Sequence, residues 1–221
     1  MFGSIAHRYD LTNSVLSMGI HRFWRRVLVQ QLPTSKDALV LDLCSGTGDL
    51  VPLLERRFGT TFAGDFCFPM MSSGRAKFRS QRFSIPRFVQ SDALRLPFAD
   101  ASLDIVSVAF GVRNLENLDK GLQEMRRVLK PGGHLLVLEF GQPRGYFFAP
   151  LFRFYSAFIM PLIGGLLTGN LRAYTYLPKT SREFPCAEAF SAILQKAGYE
   201  DARYRSLTGG IAYAYCARRP K

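Results

Sequence analysis

From about residue 38 onward, short apolar runs rich in valine, leucine, isoleucine and phenylalanine alternate with segments of helical periodicity. This alternation is typical of βα units, and it restricts the chain to a mostly parallel sheet with helices on both faces. The predicted strands are 39–43, 60–65, 87–92, 103–110 and 134–140. The predicted helices between them are 49–57, 69–79 and 117–130. Pro131-Gly132-Gly133 is expected to end the last helix and to lead directly into the fifth strand.

The C-terminal part of the chain predicts a different connection. A helix over 186–198 precedes strands near 201–207 and 211–217, which meet at Gly209-Gly210. Two strands joined by so short a turn form an antiparallel hairpin. The expected fold is therefore α/β, with a seven-stranded, mostly parallel sheet that ends in an antiparallel hairpin.

Two segments have no place in that sheet. We expect one domain over 1–221, in which 1–36 forms an N-terminal helical lid and 144–183 forms an apolar insertion on the substrate side. The apolar part of the insertion carries Arg153 near its middle and is interrupted by Pro161, which makes it a poor membrane-spanning helix. A pair of helices broken at Pro161, at a membrane interface or against the substrate, fits this composition better.

Charge and cysteine content narrow the partners and the compartment. The chain has 29 Lys and Arg against 17 Asp and Glu, a formal net charge of +12, which favours an anionic partner such as nucleic acid, lipid headgroups or a charged cofactor. The four cysteines form no C-x-x-C pair or cluster with histidine, so the sequence predicts no metal site and no disulfide framework. We expect a cytoplasmic protein without a secretory signal.

The strand ends supply the candidate cofactor site, because ligands of open α/β sheets bind outside the carboxyl ends of the strands. Strand one ends in LDLCSGTGDL, where Gly46 and Gly48 let the backbone approach a ligand. Asp65 ends strand two, where a carboxylate can accept both hydroxyls of a ribose. Val51 replaces the third glycine of a dinucleotide turn, so a nucleoside without phosphates, such as S-adenosylmethionine, fits better than a nicotinamide cofactor.

The third and fourth strand ends carry the remaining candidates. Asp92 could accept from an adenine amino group, or it could cap a turn. Arg113 and Asn114 follow strand four, where a methyl acceptor would lie, although Arg113 could instead form a structural ion pair. Glu139 closes strand five at the same edge and is a weaker candidate.

The strand-end argument places none of the three histidines at the candidate site. His134 and Asp104 begin strands at the opposite edge and are expected to be structural. His7 and His21 lie in the N-terminal helices, where either could fold over the site, but a solvated or packed helix histidine is the favoured interpretation.

Taken together, several segments resemble the C-methyltransferases of menaquinone and ubiquinone biosynthesis, the UbiE/MenG type. The resemblance covers nearly the whole chain, and FGVRN with the N-terminal YD-x-x-N-x-x-x-S-x-G-x-H-x-x-W-R is its most specific part. The other matching segments are LDLCSGTGD, GDF, DALRLPFADASLDIVSVAFGVRNL, EMRRVLKPGGHLLVLEFGQP and AYTYLPKTSREFP. Ala109 stands where many members have serine.

The resemblance implies the class I S-adenosylmethionine-dependent methyltransferase fold. It implies methyl transfer to a ring carbon of a polyprenylated quinol, either demethylmenaquinol or 2-methoxy-6-polyprenyl-1,4-benzoquinol or both. The residues expected at the S-adenosylmethionine site are Cys44, Gly46, Thr47, Gly48, Asp65, Phe66, Asp92, Ala93 and Ala109.

For the chemistry, we expect Arg113 to stabilise a phenolate, Asn114 to orient the hydroxyl and Tyr9 to close over the methyl donor. The general base is left open between a water, Glu139, and a tyrosine such as Tyr174 or Tyr176.

The prenyl tail would need apolar walls, and a basic surface would hold the enzyme peripherally at the inner face of the membrane. The sequence does not decide whether the protein forms a homodimer. The rival functions are methylation of another small molecule or RNA, and a non-catalytic scaffold. A base-flipping amino-methyltransferase would usually carry Pro-Pro-Tyr/Phe after strand four instead of FGVRN, so no nucleic acid is expected.

Overall fold

The computed structural model describes residues 9–143, 146, 148–168 and 180–221. Its strands are β1 (Val40–Leu43), β2 (Thr61–Asp65), β3 (Arg87–Gln90), β4 (Leu103–Ala109), β5 (Leu129–Phe140), β6 (Glu200–Leu207) and β7 (Ala212–Arg218). Its helices are α1 (Tyr9–Leu16), α2 (Ile20–Val29), α3 (Val51–Arg57), α4 (Phe68–Ser80), α5 (Leu118–Val128), α6 (Phe148–Phe154), α7 (Met160–Thr168) and α8 (Glu188–Lys196).

The seven strands form one sheet in the order β3-β2-β1-β4-β5-β7-β6. β1 to β5 are parallel, and β7 pairs antiparallel with both β5 and β6. The predicted hairpin is confirmed, and so is the predicted fold. From β1 the chain adds β2 and β3 on one side of the sheet and then crosses to add β4 and β5 on the other side. In such sheets the ligand-binding crevice lies at the carboxyl ends of the two strands where the direction changes, here β1 and β4.

The sheet is covered on both faces, because side chains alternate along each strand. In β5, Leu135 and Val137 pack into a cluster with α5 and α8, whereas Leu136 and Leu138 pack into a second cluster with α2 and α3. Trp24 of α2 is only 2 % exposed. The second N-terminal helix is therefore part of the hydrophobic core, and α1 is the element that covers the edge of the sheet.

Two details of the sequence prediction need correction. The helix expected over 117–130 ends at Val128, and Pro131-Gly132-Gly133 lies inside β5, where the pairing with β4 shifts register. The helix after residue 147 is not broken at Pro161, because α6 continues through a π-helical turn, Tyr155–Ile159, into α7. Proline has no N–H to donate and its ring crowds the preceding turn, and the wider π turn accommodates both.

One helical window within the described residues, Ala149–Leu166, is long and apolar enough to cross a membrane, with a mean hydropathy of 1.3. Length and composition alone make this weak evidence for a span, and 28 % of the window is buried inside the protein.

Candidate active site

The turn after β1 is built from backbone conformations that favour glycine. Gly46 and Gly48 have φ values of 59° and 81°. A Cβ at either position would press on a neighbour, Met70 Cε or Phe88 Cζ, at 3.2 Å. The absence of side chains therefore keeps the turn narrow, and Gly46 lines the cavity.

Asp65, at the end of β2, fixes this turn. Its two carboxylate oxygens accept hydrogen bonds from the amides of Gly46 and Cys67, both at 2.7 Å. Burial raises the pKa of the Asp65 carboxyl, and these amide donors partly oppose the rise. A carboxylate has about four acceptor positions, so Asp65 can still accept from a ribose hydroxyl.

The residues next to Asp65 are open to solvent. Phe66 is 74 % exposed, which is an unusual position for a phenylalanine and suits the face of an adenine ring. Ala93 is buried beyond β3, whereas Asp92 is exposed and accepts a hydrogen bond from the Leu94 amide. Asp92 therefore caps a turn, and its second oxygen keeps acceptor capacity.

A cavity of about 840 Å³ lies at the carboxyl edge of the sheet. Its floor is formed by the strand ends, including the predicted residues Cys44, Gly46, Thr47, Ala109 and Arg113. Its walls come from the N-terminal helices and from the helix over 148–168, mostly through apolar side chains: Leu16, Ile20, Trp24, Leu151, Phe152, Phe154, Tyr155, Ile159 and Met160. The cavity thus joins the glycine turn to an apolar chamber.

A charged network fastens α1 to the glycine turn. Thr47 Oγ1 donates to Asp10 Oδ1 at 2.7 Å, and Lys77 Nζ lies 2.8 Å from Asp10 Oδ2 and 2.6 Å from Asp49 Oδ1. Arg25 of α2 pairs with Asp49 at 3.0 Å. Burial alone would raise the pKa of Asp49, but Arg25 and Lys77 hold it below its ordinary value. Sequence reasoning did not find this network.

Arg113 occupies a buried ion pair. Its Nη1 lies 2.6 Å from Glu139 Oε1 and 2.7 Å from the Phe110 carbonyl oxygen, and the Glu139 side chain is fully buried. The Phe140 amide also donates to Glu139, at 2.8 Å. Glu139 is thus committed to internal partners and is not available as a general base. Asn114 lies nearby and donates to Phe110 O at 3.5 Å, but it is not among the described residues that line the cavity.

His21 is packed on α2, which agrees with the favoured interpretation of a packed helix histidine, and it also lines the same cavity. Its Nδ1 lies 2.6 Å from Ser17 Oγ, and the Ser17 hydroxyl donates to the Asn13 carbonyl oxygen at 2.6 Å. Burial, followed by Arg25 and Arg22, lowers the His21 pKa to about 4. The imidazole is therefore neutral at physiological pH.

The remaining sequence predictions divide into two groups. Asp104 pairs with Lys130 at the opposite edge of the sheet, and His134 pairs with Ile105 near the start of β4 at that edge, as expected. His7, Tyr174 and Tyr176 lie outside the described residues, as does the side chain of Tyr9.

The side chains at this edge of the sheet fit the chemical groups of S-adenosylmethionine. Asp65 offers a carboxylate for ribose and Phe66 an aromatic face for adenine. Gly46 of the glycine turn lines the cavity together with the charged side chains of Arg25 and Asp49. These two charges complement the carboxylate and ammonium groups of a methionine moiety. Among the described residues, no cluster of His, Cys, Asp or Glu could hold a metal ion. The fold and the site together define a class I S-adenosylmethionine-dependent methyltransferase.

Comparison with known proteins identifies the family. The chain belongs to the ubiE/COQ5 methyltransferase family, whose model matches residues 1–219. It is 44 % identical over 218 residues to the ubiquinone/menaquinone biosynthesis C-methyltransferase UbiE of Bdellovibrio bacteriovorus, covering 97 % of this chain and 92 % of that protein. It is 43 % identical to the demethylmenaquinone methyltransferase of Thermus thermophilus, with both chains covered completely.

A solved structure supports the fold. The S-adenosylmethionine-dependent methyltransferase of Aquifex aeolicus superimposes with a TM-score of 0.64 over 88 % of each chain, at 18 % sequence identity. The predicted family, fold, cofactor and enzyme class are therefore confirmed.

Proposed function

We propose that the protein methylates a ring carbon of a polyprenylated quinol, demethylmenaquinol or a polyprenyl benzoquinol, with S-adenosylmethionine as the methyl donor. The observation that carries this proposal is the continuity of the cavity, which runs from the glycine turn into a chamber with apolar walls. A quinol ring could lie at the strand ends while its prenyl tail contacts those walls. The names of the relatives from Bdellovibrio and Thermus support the same substrate class.

S-adenosylmethionine supplies an electrophilic methyl group, so the residues of the chain must align the ring carbon and manage the hydroxyl proton. We expect Asp65, Phe66 and the glycine turn to hold the donor, and α1 to cover it. Arg113 faces the cavity at the end of β4, where its guanidinium can donate to the acceptor oxygen. Because Glu139 already balances its charge, Arg113 is better suited to orienting a neutral hydroxyl than to stabilising a full phenolate.

The direct test is an assay with labelled S-adenosylmethionine under reducing conditions against short-tailed forms of both quinol classes. We expect label in the ring of at least one class. Binding of S-adenosylmethionine in calorimetry without methylation of either quinol would contradict the substrate assignment and leave the cofactor assignment intact. Comparison of kcat/KM for the two rings would identify the preferred substrate.

We further propose that the enzyme acts peripherally at the inner face of the membrane. One side of the helix over 148–168 lines the cavity, and Tyr155 OH donates to Leu16 O at 2.6 Å, so this helix cannot be surrounded by lipid. Its other side exposes the large apolar side chains of Phe158, Leu162 and Leu166. Leu151 and Phe154, which also line the cavity, are more than half exposed. Such an arrangement suits a helix that lies in the interface, next to the entrance for a lipid-soluble substrate.

The membrane proposal is tested by flotation with vesicles of anionic and of zwitterionic lipid. We expect binding to the anionic vesicles, given the net charge of +12. Leu162→Glu places a charge on the exposed apolar side and should reduce binding about tenfold or more. Arg79→Gln on α4 is the matched control, because it lowers the net charge by the same single unit without altering the apolar side of the helix over 148–168. Equal binding of the wild type and Leu162→Glu would refute the proposed surface.

A further inference from the structure

We propose that His21 is the general base of the methyl transfer, and that its Nε2 accepts the proton of the quinol hydroxyl beside the ring carbon that is methylated. This inference rests on the proposed function. It assigns a role that the sequence left open between a water, Glu139 and a tyrosine.

The hydrogen bonds around His21 fix its tautomer. Ser17 has a single hydroxyl hydrogen, and Ser17 Oγ donates it to Asn13 O at 2.6 Å. Towards His21 the same oxygen can therefore only accept, so the 2.6 Å contact to Nδ1 must be an Nδ1–H donor. The lone pair consequently lies on Nε2, for which the described residues provide no hydrogen-bond partner. Asn13 and Ser17 orient the imidazole in the way that a third group orients the base of a catalytic triad.

The position of His21 also fits this role. The side chain lines the cavity together with Arg113 and the glycine turn, and His21 is only 6 % exposed. The carboxylate of Glu139 neutralises Arg113 at 2.6 Å, and Arg25, the other arginine among the described residues that line the cavity, is paired with Asp49 at 3.0 Å. Neither guanidinium is therefore free to hold a full phenolate. Removal of the proton during methyl transfer avoids that charge, and a buried neutral imidazole is the side chain that can accept it.

Burial and the neighbouring arginines keep His21 in the required protonation state. Burial is the largest cause of its lowered pKa, Arg25 and Arg22 lower it further, and Asp49 and Asp10 act in the opposite direction. With a pKa of about 4, the imidazole stays neutral throughout the physiological range. A weak base is sufficient here because the hydroxyl becomes a strongly acidic protonated carbonyl as the ring carbon gains its methyl group.

The atoms balance without an additional reagent. The ring carbon bonds to the methyl group as the sulfur–methyl bond breaks, and the electron pair of that bond stays on sulfur. The hydroxyl proton passes to Nε2, which leaves a neutral dienone. The ring carbon then loses its own hydrogen to water, His21 returns its proton to the carbonyl oxygen, and the aromatic quinol is restored. One proton is released per methyl group.

The kinetic test compares His21→Ala and His21→Gln with a matched His134→Gln variant at the opposite edge of the sheet. General base catalysis contributes about 100-fold to 10,000-fold, so both His21 variants should lose about 100-fold or more in kcat, with S-adenosylmethionine affinity changed less than about threefold. Added imidazole should partly rescue His21→Ala, and more basic substituted imidazoles should rescue it better. A kcat within about fivefold of wild type for either folded variant would overturn the proposal.

A second readout does not depend on turnover. The chain has three histidines, so nitrogen-15 spectra of selectively labelled protein are simple to assign with the same variants. We expect His21 to show a protonated Nδ1 and an unprotonated Nε2 at pH 7, and the Nε2 signal to shift when a quinol or a phenol analogue binds. A protonated Nε2, or a signal unaffected by the analogue, would overturn the inference.

The two proposals fail in different ways. Wild-type protein that binds S-adenosylmethionine but methylates neither quinol class would refute the proposed function. Active wild type with an active His21→Ala variant would refute only the role of His21.

Discussion

Replacing Asp42 by asparagine should stabilise the protein strongly at alkaline pH and only weakly in acid. Asp42 lies in the middle of β1 and is 1 % exposed, and its Oδ1 has no hydrogen-bond partner. Burial is the main reason why the pKa of this carboxyl rises to about 7, with Asp65 and Asp49 adding to the rise. Arg25 and the Ser107 hydroxyl, which faces Asp42 from β4, oppose it.

The magnitude follows from proton linkage. In the unfolded chain the carboxyl has a pKa of about 4, so the native state binds the proton more tightly, and its stability falls as pH rises from about 4 to about 7. The loss relative to a neutral side chain is about 1.5 kcal/mol at pH 5 and about 4 kcal/mol at pH 8. Asparagine carries no charge at either pH, so the stability advantage of Asp42→Asn should grow by these amounts.

Urea unfolding, followed by the fluorescence of the single, buried Trp24, measures this difference. At pH 8 the midpoint of the variant should exceed that of wild type by roughly 1.5 M, and at pH 5 by much less. Asp104→Asn is the matched control, because Asp104 is a partly exposed aspartate paired with Lys130 and its loss should cost less than about 1 kcal/mol. An equal advantage at both pH values would indicate a packing effect and refute the ionisation argument.

Three further predictions concern the site. Asp65→Ala should weaken S-adenosylmethionine binding in calorimetry more than tenfold, because it removes the ribose acceptor and frees the Gly46 amide; unchanged affinity would exclude this role. Arg113→Ala should lower the free energy of unfolding by about 3–5 kcal/mol in urea, because it leaves the buried Glu139 carboxylate without its ion-pair partner. The double variant Arg113→Met with Glu139→Gln should restore stability but not turnover. Recovered turnover in that variant would exclude a role for Arg113. Lys77→Met should raise the KM for S-adenosylmethionine at least fivefold and speed hydrogen exchange in α1, whereas Arg79→Met, an exposed cation on the same helix, should do neither.

The fold was predictable because its signals are local and consistent. The central strands β1, β2, β4 and β5 contain apolar runs. The ends of β1 and β2 carry the glycine turn and Asp65, which define the binding edge. The two errors in the predicted helices and strands arose where tertiary packing overrode a local sequence rule. Pro161 would break an isolated helix, but a π turn absorbs it while the helix packs over the cavity. Pro131-Gly132-Gly133 is a turn signal that the sheet incorporates as an irregularity of β5.

The site was predictable only where it lies on strands. Strand ends in a parallel sheet converge at one edge, so Thr47, Ala109 and Arg113 could be placed together from the sequence. His21 and Lys77 lie on helices whose rotation relative to that edge depends on packing, which the sequence does not specify. The contact between Ser17 and His21 was not predictable either, because Ser17 lies in the turn between α1 and α2, where Met18 and Gly19 have positive φ values.

The network around Thr47 links donor binding to formation of the acceptor chamber. The Thr47 hydroxyl belongs to the turn expected to hold S-adenosylmethionine, yet it donates to Asp10 of α1, the helix that also provides Leu16 to the wall of the cavity. Lys77 joins the same carboxylate to Asp49 at the start of the next helix. The Asp10 carboxylate holds α1 against the glycine turn. Movement of α1 away from the sheet would therefore disturb both the turn and the apolar wall of the cavity. A donor bound at this turn would contact the residues that hold α1 in place, so we expect donor binding to stabilise the wall against which the prenyl tail would pack.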